Sequence, residues 1–198
     1  MHLSCWTRYT TFSLIICMML ASCSVPDGPD PQTSSVEASP EIVNNPAASP
    51  ITLSGPGQLL PVTATAEMKA QIFELEVART SQEQALGLMF RSALPDNRGM
   101  LFPFVPPRRT RFWMKNVPVP LDMVFIRNGA VVAIAPQVPP CQSDPCPSYG
   151  PSDQIIDYVL ELRSGRAAEI GLQPGDEVAI RASDPAALPE DSLEAPSR

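Results

Sequence analysis

Histidine is nearly absent from this chain. The one histidine among 198 residues is His2, inside a segment that reads as a cleaved leader. Its loss excludes Ser-His-Asp and Cys-His catalysis and the usual imidazole metal sites. There is no GxxxxGK(S/T) loop and no GxGxxG fingerprint, so nucleotide phosphates have no visible cradle. Positive charge is also scarce, with 14 Lys and Arg against 21 Asp and Glu. A nucleic-acid backbone or an anionic bilayer surface calls for a basic face, so no nucleic-acid partner is expected. Between residues 62 and 183 the 12 basic and 13 acidic side chains nearly cancel. Most of the net charge of −7 therefore sits in the flanks, as solvated tails.

Proline is what the chain has in excess, 24 of 198 against roughly 5% on average. It is concentrated at the ends and between the central motifs. At the N-terminus, Arg8 precedes an apolar run, Phe12 to Ala21, too short to span a bilayer and of signal-sequence length. The run ends in Leu20-Ala21-Ser22-Cys23, which resembles the lipobox of bacterial lipoproteins. Residues 1–22 are thus expected to be a lipoprotein signal peptide. Cys23 is then lipidated, and two or three acyl chains on it would give stable anchoring. An ordinary signal peptide, or a short anchor, with a chance cysteine is the plainer alternative. The expected location is the cell membrane or outer membrane, lipid-anchored, with the domain in the periplasm or at the surface. Ser24 after the cysteine favours the outer membrane by resemblance to enterobacterial sorting rules.

With Cys5 and Cys17 in the leader and Cys23 lipidated, Cys141 and Cys146 remain. They lie in a short proline-rich loop, in a compartment where disulfides persist, and a structural disulfide is expected. A thiolate metal site or a redox pair are the rivals, but two cysteines without histidine are too few soft ligands for zinc.

The rest of the chain is organised as one domain. Residues 23–61 carry few aromatics and no periodicity, which predicts a disordered Pro/Ser-rich tether behind the lipidated cysteine. From about Ala70, Phe73, Leu75 and Val77 alternate with Glu74 and Glu76, a half-buried strand. Thr80-Ser-Gln-Glu83 is a capping box opening a helix to about Leu88. Gly99 to Phe104, Thr110 to Lys115 and Leu121 to Ile126 read as short strands separated by prolines. Asn128-Gly129 predicts a hairpin turn, leading into Val131 to Ala135. Ile155 to Leu162 is a strand with Tyr158, Leu160 and Leu162 on one face. Ser164 is a candidate cap for a helix over Arg166 to Ile170, closed by Gly171. Glu177 to Arg181 is a last strand, and 184–198 an acidic disordered tail. The fold class is therefore mainly β (α+β), a single small barrel-like antiparallel or mixed sheet over residues 62–183 with two short helices.

Chemistry is densest between Arg91 and Ile126. Arg91, Trp113, Lys115, Asn116 and Asp122, with Arg98 nearby, offer an aromatic wall, cations, an amide and a carboxylate. Aromatics with a few convergent polar groups are the usual composition of a ligand pocket. Strand alternation puts Phe112, Met114 and Asn116 on one side and Arg111, Trp113 and Lys115 on the other. Asp122 follows a proline turn and is placed to pair with Lys115 or Arg91. The plainer alternative is that these residues fill the core and fix it with an ion pair. Met89, Met100, Met114 and Met123 raise the idea of cuprous copper, although methionine in apolar runs is ordinarily a core filler. No cofactor or metal is assigned.

Glu76-Val-Ala-Arg-Thr80, Gly87-Leu-Met-Phe-Arg91, Gly99-Met-Leu-Phe102, Phe112-Trp-Met-Lys-Asn116 and Pro120-Leu-Asp122, followed by the Cys141/Cys146 loop, Tyr158-Val-Leu-Glu161 and Gly171 to Asp176, resemble the bacterial and archaeal family known as domain of unknown function 192. The likeness covers nearly all of Ile72 to Ile180. It implies a small β-rich fold and frequent export or lipid anchoring, and it supplies no catalytic residues, substrate or cofactor. The sequence thus leans to a non-enzyme: a lipid-anchored module binding a small molecule or envelope component through the five residues named. A structural or accessory lipoprotein that binds protein partners is the alternative. An enzyme using Asp122 as base, or a copper protein, comes last.

Overall fold

A computed structural model of the protein describes residues 50–183 and Leu188. The expected leader at 1–22, Cys23, the expected tether up to residue 49 and the expected tail at 184–198, apart from Leu188, lie outside the described residues. Along the chain the elements are β1 (Val62–Met68), β2 (Gln71–Val77), α1 (Ser81–Leu86), β3 (Arg98–Arg108), β4 (Phe112–Trp113), β5 (Leu121–Arg127), β6 (Ala130–Val138), β7 (Ser148–Tyr149), β8 (Ile156–Arg163), α2 (Arg166–Glu169) and β9 (Ala179–Ala182). Seven strands form one curled half-barrel sheet in the order β6-β5-β8-β3-β2-β1-β9. β2 and β3 run parallel and the other neighbours antiparallel. The mainly β fold with two short helices is the one the sequence predicts. Among the described residues no helix is long and apolar enough to cross a membrane.

Local chemistry explains the turns. Asn128 and Gly129 have φ of 49° and 71°, as a tight hairpin between β5 and β6 requires. The capping box at Thr80 is complete: its side chain accepts from the Glu83 N–H, and the Glu83 carboxylate accepts from the Thr80 N–H. The β1–β2 hairpin, at Lys69 and Ala70 with φ of 49° and 56°, lacks such a signature and was not foreseen.

The sheet buries both of its faces. On one, Leu75, Leu101, Leu160, Leu162, Val124 and Ile126 pack beneath α2, and Leu188 adds to the same cluster. On the other, Met100, Phe102, Met123, Phe125 and Val159 pack beneath the β4–β7 ribbon and the turn after α1. Each fully buried side chain of this size contributes about 1.5–3 kcal/mol, so the central strand β8 is held from both sides.

Three expectations are corrected. The strand predicted over Thr110 to Lys115 is only Phe112–Trp113, and it pairs with β7 outside the main sheet. Asn116 at φ 56° and the prolines at 118 and 120 end it at once. Ser164 does not cap α2; Gly165 is the N-cap, with no side-chain cap of its own. Asp122 does that work from β5, accepting from the N–H of Gly165 (3.0 Å) and of Ala167 (2.8 Å). The stretch 50–61, expected to belong to the tether, lies against the domain. Leu53 bridges Arg91, Ser92 N–H donates to Thr52 O at 2.9 Å, and Gln58 Nε2 donates to Glu83 O and Gly87 O at 2.7 and 3.1 Å. Two glycines allow the approach: a Cβ at Gly55 would come within 2.6 Å of the Phe90 ring, and one at Gly57 within 2.4 Å of Met89 O.

Candidate functional site

The strand register builds an unusual row across the centre of the sheet. Glu76 on β2 is opposite Met100 on β3, Met100 opposite Glu161 on β8, and Glu161 opposite Met123 on β5. All four point to the same face and all four are buried. At roughly 4.8 Å per strand, Glu76 and Glu161 stand about 10 Å apart at their backbones. Two carboxyl groups thus sit within an otherwise apolar layer.

They are treated differently. Arg91, reaching in from the turn after α1 and itself 1% exposed, binds Glu76 with two hydrogen bonds of 2.7 and 2.8 Å. Leu60 N–H donates to the same carboxylate at 2.8 Å, and Arg98 approaches it at 3.5 Å while also pairing with Glu74. Glu76 is therefore fully matched as an anion. Glu161 is 4% exposed and its carboxyl has no hydrogen-bond or ion-pair partner among the described residues. Burial pushes its pKa up to about 8, against an ordinary 4.5, and the charge of Arg91 offsets only part of that. At neutral pH Glu161 is predominantly a neutral carboxylic acid.

Glu161 lines a small, half-open cleft whose cavity volume is about 30 Å³. One wall is the stretch from Gln84 to Met89 and the other is Phe112 and Trp113, with Phe102 in the floor beside Glu161 and Lys115 at the rim. Phe112 is held edge-on against Phe102 at 4.9 Å and is packed by Phe104 and Phe125. Trp113 presents half its surface to solvent. Gly87, at φ 45° and ψ −127°, lines the opening in a conformation open only to glycine.

Of the sequence-derived candidates, Trp113 and Lys115 line this cleft. The Lys115 ammonium lies 5.7 Å from the Trp113 ring centre and 3.4 Å from the exposed Asp144. Arg91 is behind the cleft, near Glu161 but committed to Glu76. Asn116 is exposed beside Met89, its amide 3.9 Å from the thioether sulfur. Asp122 is not with them. It is registered opposite Leu162 and points to the other face, where three backbone N–H groups, from Gln137, Gly165 and Ala167, use both its oxygens. It pairs with neither Lys115 nor Arg91. Met100, Met114 and Met123 are core residues. The Cys141–Cys146 disulfide is formed, with Cα atoms 5.5 Å apart. Those two sulfurs and Asp144 make up the one grouping of possible metal ligands among the described residues, and sulfurs bonded to each other offer no thiolate. The loop braces the cleft instead: Cys141 N–H donates to Met114 O at 3.3 Å.

Residues 62–180 match the family model of DUF192, Uncharacterized ACR. The chain belongs to the DUF192 family. Two solved structures are similar to it. One is a protein of unknown function from Novosphingobium aromaticivorans DSM 12444, 35% identical, covering 64% of this chain and 94% of its own, with a TM-score of 0.53. The other, from Sinorhizobium meliloti 1021 and provisionally described as a transcription regulator, is 29% identical, covering 62% of this chain and 97% of its own, with a TM-score of 0.54. No curated protein matches the chain. In this DUF192 domain the motif residues Glu76, Gly87, Arg91, Trp113 and Glu161 converge on one feature, the cleft and the polar groups beneath it.

Proposed function

We propose that this protein is a lipid-anchored envelope protein, held to the membrane by acylated Cys23, whose DUF192 domain binds a small molecule in the cleft without transforming it. The observation that carries this reading is Glu161. A buried carboxyl without a protein partner is costly, about 1–3 kcal/mol for a neutral polar group, and a purely structural core would have an apolar residue there. A hydrogen-bonding ligand entering past Trp113 offsets that cost. The second carboxylate or nucleophile that hydrolysis would call for is missing from the lining of the cleft, which favours binding over catalysis.

The test is native mass spectrometry of the full-length chain recovered from the membrane fraction, as wild type and as Trp113→Ala and Glu161→Leu. An extra small mass on the wild type, lost in either variant while the fold persists, is the expected result. Variants that retain the same mass refute the cleft as its site. An accessory role with a protein partner is the second reading, favoured by the half-exposed Trp113. It predicts a cross-linked partner lost in Trp113→Ala and unaffected by Glu161→Leu.

A further inference from the structure

The polar groups around the cleft have a common sign. The Glu161 carboxyl, when protonated, has an O–H to donate. Behind the lining, Arg91 keeps a buried Nε–H without a partner, out of reach of the cleft itself. At the rim stands the Lys115 ammonium, held only by a 3.4 Å contact to a carboxylate that is 71% exposed. The amide of Gln84 already donates to Ala78 O and Pro103 O. Glu161 is the single acidic residue lining the cleft. The other acids nearby are used: Glu76 by Arg91, Glu74 by Arg98, and Glu83 by the N–H groups of Arg79 and Thr80. On this face β5 contributes only Leu121, Met123 and Phe125. Among the lining residues Lys115 is thus the one cation, and a protonated Glu161 leaves it without a buried counter-charge. An ammonium ligand would enter past Lys115 and find Trp113 already faced by that residue's own cation.

We propose that the cleft takes a compact ligand with a carboxylate or similar oxyanion head and a flat apolar body, the head against Glu161 and the body on Trp113. The inference rests on the small-molecule reading and narrows it to anions. The acid O–H donates to the ligand oxygen in a charge-assisted bond, which is roughly twice as strong as a neutral one. Lys115 closes over the head from the rim. Binding so arranged requires the proton on Glu161. Between the neutral range and alkaline pH the ligand competes with ionisation of that group, and a second anion beside a carboxylate is repelled.

Benzoate, benzyl alcohol and benzylamine share one ring and differ in the charge of the head, so they serve as probes. Each is titrated into the full-length chain, following the Trp113 indole and Glu161 side-chain NMR signals, from about pH 6 to about pH 9. The expected result is a shift at both residues with benzoate alone. Its affinity should fall about tenfold per pH unit above the Glu161 pKa. In Glu161→Gln, which keeps a neutral donor, benzoate should still bind and that pH dependence should vanish. Lys115→Ala should weaken benzoate without removing its pH dependence. If benzylamine is the preferred probe, with affinity rising with pH, the anion assignment is overturned and the cleft stands. If none of the three moves either signal, the small-molecule reading falls with it.

Discussion

The protonation of Glu161 makes a strong prediction about stability, because it couples folding to pH in a range where few other groups titrate. The folded pKa of about 8 is raised above the ordinary 4.5. Below pH 4.5 both folded and unfolded chains hold the proton, and the group contributes nothing. Between the two values the unfolded chain has released it and the folded one has not, so the unfolded state is favoured progressively. The unfolding free energy then falls by up to 1.36 kcal/mol per pH unit as pH rises. A separation of about 3.5 units amounts to about 5 kcal/mol by pH 8, an order-of-magnitude figure. A domain holds roughly 5–15 kcal/mol in all. Above the folded pKa both states are ionised and the loss levels off. Glu161→Gln removes the linkage while keeping the shape and a donor. The assay is urea denaturation of wild type and variant from about pH 5 to about pH 9. Wild type should weaken steadily through this window, and the variant should pull ahead by several kcal/mol at the alkaline end. The carboxylates whose pKa values are lowered, Asp96, Glu83, Glu169 and Asp176, act in the acid range and cancel between the two proteins. Parallel pH profiles would show that Glu161 is ionised in the folded domain and refute the argument.

Other consequences follow from the same contacts. Arg91→Met leaves Glu76 buried without its two hydrogen bonds and should cost about 3–5 kcal/mol; adding Glu76→Met should recover most of it, and a double variant no more stable than the single one would mean the pair is not coupled. Asp122→Ala frees three backbone N–H groups and should lower stability by at least about 3 kcal/mol with ligand binding intact in the folded fraction, whereas a normal urea midpoint with lost binding would return Asp122 to the site. Gly87→Ala forces an L-residue into its left-handed conformation, 3.4 Å from the Phe102 ring, at about 1–3 kcal/mol, seen as a lower melting temperature. Reducing Cys141–Cys146, five residues apart, should cost about 2 kcal/mol by loop entropy, read as a shifted urea midpoint with dithiothreitol.

The elements that local chemistry dictates were legible in the sequence. Asn128-Gly129, the Thr80–Glu83 box and the cysteine pair each carry their own geometry, and all three are present. The site was legible only in part. Trp113 and Lys115, singled out because aromatic and basic residues crowd there, line the candidate cleft, whereas Glu161 and Glu76 were not singled out. In β2 the alternation of Phe73, Leu75 and Val77 with Glu74 and Glu76 looks like a strand with one wet face. In β8, Tyr158, Leu160 and Leu162 likewise leave Asp157 and Glu161 on the apparent solvent side. Both faces are in fact covered, by Phe102, Phe112 and Phe125 and by the turn carrying Arg91, which are distant in sequence. Period-2 patterning tells which residues share a face and not whether a second layer will cover it. A signal was available: Val159 beside Glu161, in an eight-residue strand with six buried positions, already exceeds what a half-exposed strand offers. Asp122 failed in the opposite direction. Its neighbours in sequence suggested a pocket, while its parity in β5 placed it with Leu162.

The placement of Glu161 argues for function by its expense. The position is in the middle of the central strand, flanked in register by two methionines and covered by aromatic rings, where Leu or Met would pack without penalty. Glu76, two strands away on the same face, shows how this fold satisfies a buried carboxylate: an arginine, a backbone N–H and a second arginine converge on it. No such set is built for Glu161. The difference is that Glu161 meets an opening, whose glycine turn at Gly87 keeps a side chain out of the mouth and whose Trp113 remains half in solvent. A carboxyl left unmatched inside a molecule that matches its neighbour so thoroughly is the observation on which we base the proposal of a partner from outside.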